Sequence, residues 1–229
     1  MLNYTLNLLF AAAIACQAPF ASRSDTDSPK FPIVNMGPEG ADPTTTGFYL
    51  NHVGLHVRDL DRSLKFYNSV FGFRHMYTVQ VSEHFYFAYM GHSSGGKNGT
   101  GYQTTPDLVA QQVNSQGLLE LIYAEVSDGD IPASTESPNT FSHLGIAVPS
   151  VQDAQQRLKD HGVTIYKGIG EPFPSDGPLN NAVALQAAKF SAEEFTNVLA
   201  IMSQFSTNHI MAADPDGNLL EIVPQAGGL

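Results

Sequence analysis

A short pattern of one strand followed by one helix occurs twice in this chain. The first copy is NHVGLHVRDLDRSLKFYNSVFGF at 51–73, and the second is SHLGIAVPSVQDAQQRLKDHGVTI at 142–165. Apolar residues alternate along the first part of each copy, as in a strand with one buried face, and a helical stripe of apolar residues follows. Because strand-like runs follow both copies and two copies are too few for a solenoid, the repeat predicts two modules packed as one pseudo-symmetric domain.

The start of the chain differs in composition from the rest. Residues 1–21 contain an apolar run that is shorter than the roughly 20 residues of a spanning helix, and we interpret it as a signal peptide. A secreted protein is therefore expected, with a cytoplasmic one as the alternative. Residues 22–48 are rich in Ser, Thr, Asp, Pro and Gly, which is typical of a disordered leader.

The folded domain is expected over residues 49–225, with module one at 49–127 and module two at 140–225. Polar, glycine-rich or proline-rich stretches indicate insertions at about 91–117 and 169–207, and residues 168–183 are expected to form a loop. The second insertion also predicts a helix that Ser191 and Glu194 begin, either a lid over the cleft or a surface helix.

The charge of the chain restricts its partners. It has 22 acidic and 11 basic residues, a formal net charge of -11. Such a surface has no positive footprint for a phosphate backbone and is repelled by anionic lipid. We therefore expect no nucleic acid and no membrane as partner, and a small-molecule substrate instead.

Two carboxylates lie within apolar strand-like runs. Glu120 is in GLLELIY and Glu221 is in NLLEIV, near the end of each module. A buried carboxylate must be protonated, paired or bound to a metal. Pseudo-symmetry brings them towards His52 and His143 on the first strands, and two imidazoles with two carboxylates suit one divalent metal ion: zinc, nickel, iron, cobalt or manganese.

These motifs resemble those of the vicinal oxygen chelate superfamily, the glyoxalase/bleomycin resistance/dioxygenase family, and within it those of glyoxalase I. The matching segments are H-V-G-L-x-V-x-D-L-x-x-S-L-x-F-Y, L-L-E-L, S-H-L-G-I-A-V and D-P-D-G-N-L-L-E-I. The resemblance implies an α+β fold of two pseudo-symmetric βαββ modules that form a curved mixed sheet around a metal cleft. The metal ligands that it implies are His52, Glu120, His143 and Glu221.

The glyoxalase I resemblance also implies a reaction. A metal-dependent lyase or isomerase of this kind moves a proton between adjacent carbons, and the metal stabilises the enediolate as charge develops. Glu221 is the first candidate for the base that takes the proton, and Glu120 is the second.

The chain departs from glyoxalase I at the positions that hold glutathione. Family members that use glutathione carry Arg, Asn and Arg where this chain has His56, Ala124 and Asn139. The two Arg side chains, whose guanidinium groups would bind the carboxylates of glutathione, are therefore absent. We expect a small oxygenated substrate other than a glutathione thioacetal. His56 shares a strand face with His52 and is the candidate substrate-binding residue.

Two other functions remain open from the sequence. A non-haem Fe(II) ring-cleaving dioxygenase would use His52, His143 and Glu221 as a facial triad, although Glu120 is then one ligand too many. A metal-free small-molecule binding protein of the bleomycin-resistance type would not need the ligand set. The two fused modules favour one complete site per chain, with a homodimer as the alternative.

The remaining histidines are interpreted more simply. His84, His92 and His209 are expected to be loop or surface residues.

Overall fold

The computed structural model describes residues 31–37, 40–93, 103–127 and 130–226. The compact unit that contains both copies of the repeat runs from Tyr49 to Leu229. The preceding unit, Met1–Phe48, contains a short 3-10 helix at Pro43–Thr45, which Asp42 caps. The predicted signal peptide at 1–21 lies outside the described residues. Within the described part of the chain, no helix has the length and apolar character needed to cross a membrane.

Each module consists of a strand, a helix and three further strands, one strand more than the predicted βαββ. The elements of module one are β1 (His52–His56), α1 (Leu60–Phe71), β2 (Arg74–Ser82), β3 (Phe85–Gly91), α2 (Thr105–Ala110) and β4 (Leu118–Ala124). Those of module two are β5 (His143–Val148), α3 (Val151–Asp160), β6 (Ile165–Lys167), α4 (Pro178–Ala182), α5 (Ala192–Phe205), β7 (Ile210–Ala213) and β8 (Leu219–Pro224).

The strands form two mixed four-stranded sheets, in the orders β1-β4-β3-β2 and β5-β8-β7-β6. In each sheet the first and last strands of the module are parallel, and the other pairs are antiparallel. The predicted α+β fold of two pseudo-symmetric modules is therefore confirmed, and its strands are divided between two sheets.

Capping side chains define where helices α1 and α3 begin. The Asp59 side chain accepts a hydrogen bond from the Arg62 N–H (2.9 Å), and the Ser150 hydroxyl accepts one from the Asp153 N–H (3.1 Å). These bonds satisfy donors that the first turn of a helix leaves without partners. Helix α1 ends at Gly72, whose φ of 75° is the left-handed conformation that glycine adopts without strain.

One apolar core joins the two modules. Helices α1 and α3 pack with one face of each sheet, and the core includes Leu55, Tyr67, Leu121, Leu144, Val151, Leu158, Leu220 and Ile222. The Arg157 guanidinium of α3 also donates to the carbonyl oxygen of Val70 at the end of α1 (2.6 Å). Because side chains alternate along a strand, the predicted metal ligands lie on the opposite face of each sheet, away from this core.

The two insertions pack against those opposite faces. In module two, Phe173 and Leu179 form a cluster with Met211 and Leu219 of β7 and β8, against which Leu199 of α5 also packs. The stretch 168–183, expected to be a loop, therefore contains a short helix with buried side chains. Apolar residues that the sequence scatters among Pro and Gly are buried here by tertiary contacts.

In module one, Leu108 of α2 packs in the same way against Met76, Tyr89 and Leu118. Each insertion thus packs beside the sheet face on which a predicted pair of metal ligands lies.

A polar junction connects the β7–β8 turn of module two to α1 of module one. The Tyr67 hydroxyl donates to a carboxylate oxygen of Asp214 (2.8 Å), and both residues are buried. Asp216 accepts from the Ser63 hydroxyl (3.2 Å) and pairs with Arg62. Burial raises the pKa of Asp214 above its ordinary value, because it disfavours the charged carboxylate. The hydrogen bonds that Asp214 accepts offset this cost.

We predict that Tyr67→Phe destabilises the domain by about 1–3 kcal/mol, because the buried carboxyl group of Asp214 loses one of its hydrogen-bond donors. Urea unfolding at neutral pH measures the loss. Tyr86→Phe is the matched control, since its hydroxyl accepts an exposed hydrogen bond from Gln80 and its removal changes stability by less than about 0.5 kcal/mol. Equal losses in the two variants would contradict a stabilising role for the junction.

Candidate metal centre

The same strand register places a carboxylate beside an imidazole in both modules. Parallel pairing of β1 with β4 sets Glu120 opposite Gly54, two residues after His52. Parallel pairing of β5 with β8 sets Glu221 opposite Gly145, two residues after His143. In each sheet the His and the Glu are therefore on one face of neighbouring strands.

The first pair is His52 and Glu120, with 3.5 Å between His52 Nε2 and Glu120 Oε2. The Asn51 amide donates to the carbonyl oxygens of Gln112 (2.8 Å) and Ser115 (2.7 Å), so Asn51 Oδ1 is left as an acceptor for His52 Nδ1 at 2.9 Å. Nδ1 must then carry the proton, and in the neutral ring Nε2 is a lone-pair donor.

A neutral His52 would thus direct a lone pair towards a carboxylate oxygen. Two acceptors repel each other, whereas a cation between them would be bound by both. The donor set of this pair therefore fits a divalent metal ion, and Asn51 orients the imidazole as outer groups do at metal centres.

The second pair is His143 and Glu221, with 3.1 Å between His143 Nε2 and Glu221 Oε2. The Ser142 hydroxyl contacts His143 Nδ1 at 2.9 Å, which repeats the arrangement of Asn51 and His52. The hydrogen bond between the two side chains raises the pKa of His143 and lowers that of Glu221. Both side chains are partly exposed, at 35% and 25%, so the carboxylate that was expected to be buried can be reached from solvent.

Each carboxylate has one further neighbour. Tyr89 of β3 is opposite Glu120, its hydroxyl is 3.4 Å from His52 Nε2, and burial together with Glu120 raises the pKa of Tyr89 to about 12. His209 contacts Glu221, with 3.0 Å between Nδ1 and Oε1.

His209 was expected to be a loop or surface residue, and it does lie in the loop before β7, but its side chain is only 23% exposed because it contacts Glu221. It immediately precedes β7, in which Met211 is opposite Glu221, so alternation puts His209 on the face of Glu221. The alternation His209, Met211, Ala213 was a signal for this position, but the first module has no matching histidine to draw attention to it.

The structure brings the four predicted ligands together as two pairs. Among the described residues, no group of three or more His, Cys, Asp and Glu side chains is placed to hold a metal ion. The expectation of one complete site per chain is therefore not met. The reason is the shared core, which occupies the facing sides of the two modules and leaves the ligand faces on their outer sides.

A cavity of about 410 Å³ adjoins the ends of β1 and β4 in module one, and its described lining contains none of the four predicted ligands. It begins at Gly54, next to Glu120 in the register, and His56 lies in its wall. Ala124 and Asn139 line the same cavity, so three positions that are distant in the sequence converge there.

The charged side chains along this cavity are carboxylates, or they already have hydrogen-bond partners. Glu125 and Asp216 contribute carboxylates to the lining. Arg58 contributes a guanidinium, which donates to Glu136 (3.0 Å) and to the carbonyl oxygen of Asp216 (3.2 Å). A ligand with several carboxylates would meet little unneutralised positive charge there.

Comparison with known proteins identifies the family. Residues 49–177, more than half of the chain, match the model of the Glyoxalase/Bleomycin resistance protein/Dioxygenase superfamily. The chain belongs to this superfamily, as its fold and paired His–Glu motifs indicate.

Similar sequences include lactoylglutathione lyases. The chain is 29% identical to that of Schizosaccharomyces pombe over 186 residues, which cover 75% of this chain and 57% of the yeast enzyme. It is 30% identical to that of Pseudomonas putida over 152 residues, or 62% of this chain and 80% of the bacterial enzyme. The chain thus spans little more than half the length of the S. pombe relative.

Similar structures include the trypanothione-dependent glyoxalase I of Leishmania major. It has a TM-score of 0.45 and 19% sequence identity, over 78% of this chain and 88% of that chain.

The His143–Glu221 pair predicts a pH-dependent contribution to stability in the metal-free protein. The raised pKa of His143 stabilises the fold below its ordinary value of 6.5, and this is lost as pH rises through the folded value. The lowered pKa of Glu221 stabilises the fold above its ordinary 4.5, and this is lost as pH falls through the folded value. The difference in unfolding free energy between wild type and His143→Gln should therefore be largest between pH 4.5 and pH 6.5, the ordinary pKa values of the two side chains.

Urea unfolding in EDTA across pH 4–9 measures this difference. His161→Gln is the matched control, because His161 is an exposed residue at the end of α3. A difference for His143→Gln that does not shrink above neutral pH would show that the ion pair is not its source.

Proposed function

We propose that this chain is a metal-dependent lyase or isomerase of the glyoxalase I type. It acts on a small oxygenated substrate by proton abstraction beside a carbonyl, and the substrate is not a glutathione thioacetal. The observation that carries the proposal is the repeated His–Glu pair, which has the same register in both sheets. The lactoylglutathione lyases among its relatives support the reaction class.

The proposed metal ligands are His52, Glu120, His143 and Glu221. A divalent cation bound there would supply Lewis-acid stabilisation of the negative charge that develops on the substrate oxygens. The side chains have separate tasks. His52 and His143 present Nε2, while the Glu221 carboxylate accepts the proton, with Glu120 as the second candidate.

Two chains would complete the centre. Each pair provides one nitrogen and one oxygen ligand, and both pairs face away from the core that their modules share. A four-coordinate centre then requires the His52–Glu120 pair of one chain and the His143–Glu221 pair of another. We therefore propose a homodimer in which the outer face of module one is opposite the outer face of module two of its partner.

The cavity supports the choice of substrate. His56, Ala124 and Asn139 occupy the positions at which glutathione-using members of the family have Arg, Asn and Arg, and all three line one cavity. His56 is the proposed substrate-binding residue, because it lies on the ligand face four residues beyond His52. A small uncharged group fits this lining better than the carboxylates of a tripeptide.

The proposed substrate preference predicts how two hemithioacetals of methylglyoxal are used. Metal-loaded wild type should isomerise the adduct of uncharged 2-mercaptoethanol with a kcat/KM at least equal to that for the glutathione adduct. The double variant His56→Arg/Asn139→Arg should change the ratio of the two kcat/KM values in favour of the glutathione adduct by roughly 10-fold or more. Each introduced guanidinium group adds charge-assisted hydrogen bonds to the carboxylates of glutathione.

Glu221→Gln is the negative control and should lose turnover while remaining folded. A wild-type kcat/KM that is higher for the glutathione adduct than for the 2-mercaptoethanol adduct would contradict the proposed substrate class. Stoichiometric iron with oxygen consumption on catechols would instead indicate a dioxygenase that uses His52, His143 and Glu221. Unchanged binding of a small molecule by metal-free protein, without turnover of either adduct, would indicate a binding protein.

A further inference from the structure

We propose that His209 is a positioning residue for Glu221. It holds one carboxylate oxygen so that the other stays beside His143, where the metal ion would bind. This inference rests on the proposed function, because it concerns the metal centre assigned there.

The contact between His209 and Glu221 has a defined direction. His209 Nδ1 is 3.0 Å from Glu221 Oε1, and an ionised carboxylate only accepts hydrogen bonds, so Nδ1–H is the donor. Glu221 Oε2 is the oxygen that contacts His143 Nε2, at 3.1 Å. The two oxygens thus have different partners, and rotation of the carboxylate would break both contacts.

His209 is itself fixed by the end of the second insertion. Its backbone N–H donates to the carbonyl oxygen of Ser206 (2.9 Å), and its carbonyl oxygen accepts from Lys167 Nζ (3.1 Å). Lys167 is only 1% exposed and also donates to the carbonyl oxygens of Ser206 (2.6 Å) and Gly168 (3.1 Å). A buried lysine with three carbonyl partners therefore locks the segment that presents the imidazole.

The arrangement is confined to module two. The position of module one that corresponds to His209 in the register is Phe87, two residues before Tyr89 as His209 is two before Met211. Phe87 donates no hydrogen bond from its ring. Glu120 therefore has His52 and Tyr89 as neighbours, whereas Glu221 is held between two imidazoles. The two carboxylates of the proposed site thus differ in how firmly hydrogen bonds fix their orientation.

Two substitutions separate hydrogen bonding from the mere presence of a side chain. His209→Leu fills the space without a donor, while His209→Asn retains an amide N–H close to the position of Nδ1. His161→Asn, at an exposed histidine, is the matched control. Zn²⁺ affinity by chelator competition, thermal unfolding of the metal-free protein, and kcat and KM for the 2-mercaptoethanol adduct are measured for all four proteins.

We expect His209→Leu to weaken Zn²⁺ binding and lower kcat by roughly 10- to 100-fold, the usual effect of removing a group that orients a metal ligand. KM should change little, because His209 is not placed against the substrate. His209→Asn should recover most of both losses, and His161→Asn should match wild type.

Three results would overturn the inference, each in a recognisable way. Wild-type affinity and kcat in His209→Leu would show that Glu221 needs no support. Pulsed EPR of the Cu²⁺-substituted protein should detect two coordinated imidazoles in wild type and in His209→Leu, so a drop from three to two would make His209 a ligand instead. Wild-type protein that binds none of Zn²⁺, Ni²⁺, Fe²⁺, Co²⁺ and Mn²⁺ would defeat the proposed function, and this inference with it.

Discussion

Parallel pairing of the first and last strands of each module is the constraint on which the site depends. The pairing sets Glu120 beside His52 and Glu221 beside His143 in the same register, although long segments separate the members of each pair in the chain. A shift of one residue would turn each carboxylate into the apolar core. The strands that give the module its core thus also fix the distance between imidazole and carboxylate.

The junction between modules decides what the pairs can form. Helices α1 and α3 and the inner sheet faces make one core, and the buried hydrogen bond from Tyr67 to Asp214 fastens the turn of one module to the helix of the other. This packing leaves the sheet face that carries each His–Glu pair on the outer side of its module. The insertions pack against these faces through Leu108 and Leu179. The proposed assembly of one centre from two chains rests on this arrangement of the modules.

The sequence predicted the parts of this arrangement that repeat. Both strand–helix units could be recognised because apolar alternation and the helical apolar stripe are local patterns, and the repeat made a pair such as His52 and Glu120 credible. It did not predict what occurs once: His209 has no counterpart in module one, and the loop expected at 168–183 contains a helix because Leu179 is buried by tertiary contacts. The outward direction of both pairs was also missed, since local patterns do not specify which faces two modules turn to each other.

Anomalous diffraction at the zinc absorption edge, from crystals of the zinc-loaded protein, would locate the metal ion relative to both His–Glu pairs. One peak is expected per pair of facing modules, about 2.0–2.2 Å from Nε2 of His52 and from a Glu120 oxygen in one chain. The same peak should lie equally close to His143 and Glu221 of a second chain. A protein without a peak there, or with a metal ion that only one of the two pairs binds, would contradict the proposed four-ligand centre.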